Sequence, residues 1–311
     1  MSLLDDFLFG SVVAYPGIGE QFVGILLKTI FGREFKYLSV TAQKVLYGAD
    51  TDLHGARLDV YIEPEEREPG ERAVVYDVEP DRKDSAKDRK ALPRRVRFYH
   101  GKIVVRSLHS GTDYDGLKNA VIIMILPFDP FGLDRMVYTV KNKCIEEPEM
   151  EYDDGACTLF LYTNGSRGIP NDNLRQLLCY MKESTRKNAV NEDLREVHRM
   201  VEIVKLDPET TISCMRLTEK LDQSRKEGEA IGEAKGRTEG KIEELVTRVC
   251  RKMKLGQSLE KIAEDLVEEV SVIEPIYHAA ERCAPEYEPE SVLHRLAAKT
   301  QNKAHNYNSG T

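Results

Sequence analysis

Residues 74–85 read VVYDVEPDRKDS. The stretch opens as an alternating β-strand and then turns abruptly into acids and bases around a proline. Side chains two apart on a strand share a face, so Asp77, Glu79 and Asp81 point the same way, with Lys83 beyond them. Either this is an edge strand running out into solvent, or the carboxylates are aimed at something.

The neighbouring segment decides how the stretch is held. RLDVYIE (57–63) alternates cleanly, with Leu58, Val60 and Ile62 on one face and Arg57, Asp59, Tyr61 and Glu63 on the other. The acidic, Pro- and Gly-containing EPEEREPGER (63–72) links it to AVVYDVE (73–79), so the two strands read as a hairpin with a long loop. Pairing brings Asp59 towards Glu79. Two adjacent carboxylates repel and shift each other's pKa unless a cation lies between them. Oxygen ligands of this kind suit Mg²⁺ or Mn²⁺.

A basic run follows directly. Between Arg82 and Arg106 there are ten Lys and Arg residues, among them Arg94, Arg95 and Arg97, against only Asp84 and Asp88. Beside a metal site such a run attracts a phosphate backbone. Taken alone, it also fits a solvated helix face. His54, His100 and His109 lie near this region and read as surface or packing residues.

The rest of the chain frames these segments. GIGEQFVGILLKTIFG (17–32) has helical spacing stopped by Gly32, and FKYLSVTAQKVLYG (35–48) reads as a strand entering a loop. ALPRRVRFYHGKIVVRSL (91–108) is expected to be helical after Pro93, with Val96, Tyr99, Ile103 and Leu108 inward. Strands follow at 119–128, 135–144 and 156–164, and amphipathic helices take over from Asn171. The expected fold is therefore α/β, a mixed central sheet flanked by helices, followed by a mostly α-helical C-terminal region. The expected boundaries are 1–206, 207–284 and a disordered tail at 285–311.

In KEGEAIGEAKGRTEGK (226–241) glycines recur every fourth residue, from Gly228 to Gly240. On a helix they form a slowly winding stripe for close association with a second copy; otherwise the segment is a flexible charged linker. SLEKIAEDL and VSVIEPI have the rhythm of a helix-turn-helix, but the second segment is not basic, so packing or oligomerisation is preferred to DNA reading.

Composition sets outer limits. The 311 residues are 41% hydrophobic and 32% charged, enough for a core plus an exposed salt-rich part. A net charge of −8 excludes a wholly nucleic-acid-binding surface but permits a local basic patch. Six dispersed cysteines without a CxxC pair read as reduced thiols of a cytoplasmic protein. The acidic MSLLDDFLFG start lacks a signal-peptide pattern, and the longest apolar run, AVIIMILPF, is too short to span a bilayer.

The order Asp, then Glu-x-Lys or Glu-x-Gln, on neighbouring strands after a helix resembles the PD-(D/E)XK nuclease superfamily. More closely, DDFLFGSVV, ARLDVYIE, VVYDVEPD, LPRRVRFYHGKI, GTDYDGLKNAVIIMILPFDPFG, MVYTVKNKC and the glycine-striped C-terminal helix, in that order, resemble the bacterial recombination-promoting nuclease (transposase-like) family over most of residues 3–270. The resemblance implies a restriction-endonuclease-like fold and a Mg²⁺- or Mn²⁺-dependent DNA endonuclease linked to recombination or mobile elements. It places metal ligands at Asp59 and Glu79, with Glu20 as the acid of the preceding helix. It also sets Asp81 and Lys83 in the catalytic stretch, and Arg57, Arg94, Arg95 and Arg97 against DNA.

One position departs from the pattern. The family has Glu-x-Gln and the wider superfamily Glu-x-Lys, whereas this chain has Glu79-Pro80-Asp81. Aspartate does not donate as Lys or Gln does, though it can ligate metal or act as a base. Lys83 stands in for the missing amine if the strand continues. Three outcomes stay open: an active nuclease, a degenerate nuclease fold that binds DNA or a protein without cutting, and a structural oligomer assembled by the C-terminal helices.

Overall fold

The computed structural model describes residues 1–35, 37–46, 56–64, 72–107, 113–168 and 170–297, with backbone alone at 45, 46, 56, 57 and 107. The chain divides into two compact units, Met1–Met215 and Arg216–Thr311.

The first unit is built on six strands: β1 (Leu38–Leu46), β2 (Ala56–Pro64), β3 (Val74–Pro80), β4 (Asn119–Leu126), β5 (Val137–Val140) and β6 (Ala156–Tyr162). They form one open mixed sheet in the order β1-β2-β3-β4-β6-β5. The β1–β2 and β2–β3 pairs are antiparallel, β3–β4 and β4–β6 parallel, and β5–β6 antiparallel. The strand carrying Asp77 and Glu79 is therefore interior, hydrogen-bonded on both sides, and not an edge.

Alternation divides the core. Val60, Ile62, Tyr76, Val78, Ile123 and Ile125 point to one face of the sheet. There they pack on helices α1 (Asp6–Ala14), α2 (Gly19–Phe31), α4 (Asp172–Lys182) and α5 (Glu192–Leu206). Val75, Ile122 and Met124 point to the other face, against Leu92, Val96 and Ile103 of α3 (Ala86–Ser107). Each such side chain contributes about 1.5–3 kcal/mol on burial. Asp77 and Glu79 share the α3 face with Val75.

Several local expectations need adjustment. α1 was not anticipated; Asp5 caps it, accepting from the Leu8 N–H at 3.3 Å. α3 starts at Ala86 and contains Pro93 rather than starting after it. The reason is Ser85, whose Oγ accepts from the Asp88 N–H at 3.1 Å and so caps the helix about two turns earlier. Leu108 lies outside the described residues. α1 and α2 meet closely at Gly19, where a Cβ would stand 1.9 Å from the Val13 carbonyl oxygen.

In the second half, one continuous helix, α6 (Pro208–Lys254), takes in what reads in sequence as two helices and an intervening glycine-rich segment. The flexible-linker alternative for 226–241 is thus replaced by helix, and its four glycines have open space around them. The C-terminal part of α6 packs with α7 (Leu259–Leu266) and α8 (Val270–Glu281) through Val249, Met253, Ile262, Ile273 and Ile276. Residues 289–297 are also helical, with Val292 fully buried in that cluster, so order extends past 285. Residues 298–311 lie outside the described residues.

Candidate functional site

The antiparallel register pairs Val60 with Val78 and Tyr61 with Asp77. One step further Asp59 faces Glu79, and there the ladder ends in a side-chain contact: the Asp59 N–H donates to Glu79 Oε1 at 2.7 Å. The hairpin thus brings Asp59 and Glu79 together. It also brings Asp77, which sequence reasoning set on the same face but did not assign to the site. The signal was the two-residue spacing from Glu79.

All three acids of β3 and its end are buried: Asp77 is 0% exposed, Glu79 6% and Asp81 8%. Asp77 is the extreme case, because neither of its carboxyl oxygens has a hydrogen-bond partner. Burial pushes its pKa well above the usual carboxylate range. The adjacent Glu79 carboxyl partly opposes this, while the charge of Asp59 adds to it. Glu79 is also raised well above its usual value, first by burial and then by the charges of Asp77 and Asp59.

Asp81 differs in kind. Its Oδ1 accepts from the Lys83 N–H at 2.9 Å, and its Oδ2 is ion-paired with the Arg95 guanidinium. Arg95 comes from α3 and is partly buried, with an Nε that has no partner. Its pKa is raised: burial works against the charge, but the hydrogen bond and charge of Asp81, with the charges of Tyr99 and Glu79, together outweigh it. Tyr99, one turn on, is also raised, by burial first and then by the Glu79 charge, so it stands over the same acids.

β3 ends at Pro80, so the alternation that would set Lys83 beside Glu79 does not run that far. Lys83 is exposed, and its charge acts on Asp6, at the start of α1. Asp6 is itself raised, by burial and then by Asp81. Asp6 is thus the helix-borne acid whose charge meets that of Asp81 at the end of β3. Glu20, on the α2 helix that packs on the same face of the sheet as α1, is exposed and shares no hydrogen bond or ion pair with the described acids of the site. The DD of the N-terminal DDFLFGSVV segment was the available signal.

Arg94 and Arg97 are exposed on α3 and form no ion pair with a described residue, whereas Arg95 is turned inward. Arg57 lies on β2 opposite Val45, and its side chain lies outside the described residues. His100 Nε2 lies 2.9 Å from Thr158 Oγ1, and burial lowers its pKa, which fits packing. His54 and His109 lie outside the described residues.

As the side chains stand, no group of three or more His, Cys, Asp or Glu among the described residues is arranged to hold a metal ion. No described helix is long and apolar enough to cross a membrane. The site is thus a buried carboxylate cluster at the C-terminal end of a parallel strand pair, the end where open α/β sheets bind ligands. No family model, curated protein or solved structure matches the chain.

Proposed function

We propose that this chain is a divalent-metal-dependent DNA endonuclease of the PD-(D/E)XK type, akin to the recombination-promoting nucleases and acting in the cytoplasm. The observation that carries the reading is Asp77, a fully buried carboxyl with no cation or backbone donor at either oxygen, beside Glu79, which itself faces Asp59. Burying a carboxylate without a counter-charge is costly. A cation relieves both that cost and the mutual repulsion.

An all-oxygen set fits Mg²⁺ or Mn²⁺. Magnesium takes one or two protein carboxylates and keeps several waters, so a preformed three-ligand cage is not required. Asp59, Asp77 and Glu79 would hold the ion, which when bound polarises a phosphodiester and acidifies a coordinated water. The remaining work falls to the chain. Arg94 and Arg97 offer exposed cations to the DNA backbone. The hydrogen bond from the Asp59 N–H fixes the Glu79 carboxyl in place. A helix-led β1–β2–β3 meander with acids on its second and third strands fits a restriction-endonuclease-like fold. Six free thiols fit a reducing compartment.

A second reading rests on Asp81. The strand offers an acid where Lys or Gln is expected, which favours a degenerate nuclease fold that binds DNA or a protein without cutting. Supercoiled plasmid with Mg²⁺ or Mn²⁺ separates the two. Wild type should nick it, and Glu79→Ala should lower the rate by about 10²-fold or more. Equal nicking by both would sink the site assignment. Salt-sensitive DNA binding without nicking would favour the second reading.

A further inference from the structure

We infer that Arg95 supplies the cation that Glu-x-Lys and Glu-x-Gln motifs carry on the strand, and that Asp81 is its anchor. The inference rests on the nuclease reading and assigns a residue to its reacting phosphate.

Asp81 is already committed. One oxygen accepts from the Lys83 N–H and the other from Arg95, and the side chain is only 10% exposed. No such donors reach Asp77, two strand turns back on the same face. The two acids therefore differ in role: Asp77 is left with lone pairs to offer, while Asp81 has both oxygens engaged. Asp81 is a positioning residue, not a metal ligand or base.

Arg95 is held with capacity to spare. A guanidinium carries five N–H groups in a rigid fork, suited to bidentate contact with phosphate. Asp81 engages one nitrogen, the Nε–H is buried without a protein partner, and the side chain stays 27% exposed, so the fork is not closed off. The ion pair holds the guanidinium at Asp81, two residues beyond Glu79, where the charge of Glu79 acts on it. A lysine two residues after Glu79 would project from the strand. Here that position has the opposite sign, and α3 returns the positive charge from above the same face. Arg95 thus leaves the group of DNA-backbone contacts to which Arg94 and Arg97 belong and becomes the cation at the scissile phosphate.

The test combines removal with rescue in the full-length protein. Arg95→Ala should lower plasmid nicking by about 10²–10³-fold. Calorimetric Mn²⁺ affinity should change less than about threefold, since the acids that hold the ion remain. Arg95→Ala/Asp81→Lys restores the strand lysine and removes the unpaired acid, so nicking should recover at least about tenfold over Arg95→Ala. Asp81→Asn should leave Mn²⁺ affinity intact, whereas Asp77→Asn should lose it. Mn²⁺ affinity lost in Asp81→Asn as in Asp77→Asn would overturn the anchor role. Nicking by Arg95→Ala within about threefold of wild type would overturn the cation role. If wild type does not nick at all, the nuclease reading fails, and the inference is then judged on binding. Mn²⁺-supported affinity for a DNA duplex should fall about tenfold in Arg95→Ala and recover in the double variant. Affinity equal to wild type would overturn it.

Discussion

Replacing Asp77 by Asn should stabilise the metal-free protein while abolishing its response to metal. In the fold the Asp77 carboxyl is fully buried, lacks a donor and neighbours two other acids. Its pKa is raised, so between the usual carboxylate value and that raised value the folded chain binds more protons than the unfolded one. The sign follows: this contribution is fully present below about pH 4 and is lost as the pH rises through the folded pKa. At neutral pH the fold must therefore either hold that proton or bury the charge, and both lower stability relative to a neutral side chain. Asn is nearly isosteric, carries no charge and can donate to Glu79, but any amide atom left unpaired costs about 1–3 kcal/mol. Relieving an unpaired buried group falls in the usual range of about 1–3 kcal/mol for a single substitution, or roughly 2–10 °C in the melting of a unit this size. Wild type should gain about 2.7 kcal/mol from Mn²⁺ at 100 times its Kd, and Asp77→Asn close to nothing. Thermal melts at pH 5 and pH 7.5, with and without Mn²⁺, read all of this. A variant less stable than wild type at pH 7.5, with an intact Mn²⁺ shift, would show that Asp77 is structural and refute the cation argument.

Two more outcomes test the surface and the C-terminal unit. Arg94→Gln/Arg97→Gln should weaken DNA binding across sequences and reduce the salt slope of log K by about 2, with stability changed by less than about 0.5 kcal/mol; an unchanged slope would remove α3 as the phosphate face. Val292→Ala should cost about 1–3 kcal/mol in urea unfolding of the C-terminal unit, because Val292 is fully buried in its core; no effect would return residues beyond 285 to a disordered tail.

The parts of the fold legible in sequence are those governed by one period. Strict alternation in RLDVYIE and VVYDVE located the two strands and set Asp59 against Glu79, because a two-residue period leaves no freedom once a hairpin forms. Local chemistry was read less well. Pro93 drew the helix start too late because the Ser85–Asp88 cap was overlooked. The glycines of α6 suggested a linker, although each costs only about 1 kcal/mol in a helix and the charged residues between them favour one.

Asp81 shows where period-based reasoning stops. Extending the alternation past Pro80 made Lys83 the candidate amine, but the strand ends there and Lys83 turns towards Asp6. The cation that reaches Asp81 comes instead from a helix fourteen positions later. No spacing rule within a strand connects the two, because their meeting depends on how α3 crosses the sheet. The same holds for Asp6 and Glu20: both are helix-borne acids ahead of the strands, and only the folded chain shows that it is Asp6 whose charge meets that of Asp81. A departure from a motif at one strand position is therefore weak evidence for lost chemistry. Where the resembled motif carries Lys or Gln, this chain has Asp81, and a cation from the neighbouring helix, Arg95, is in contact with it.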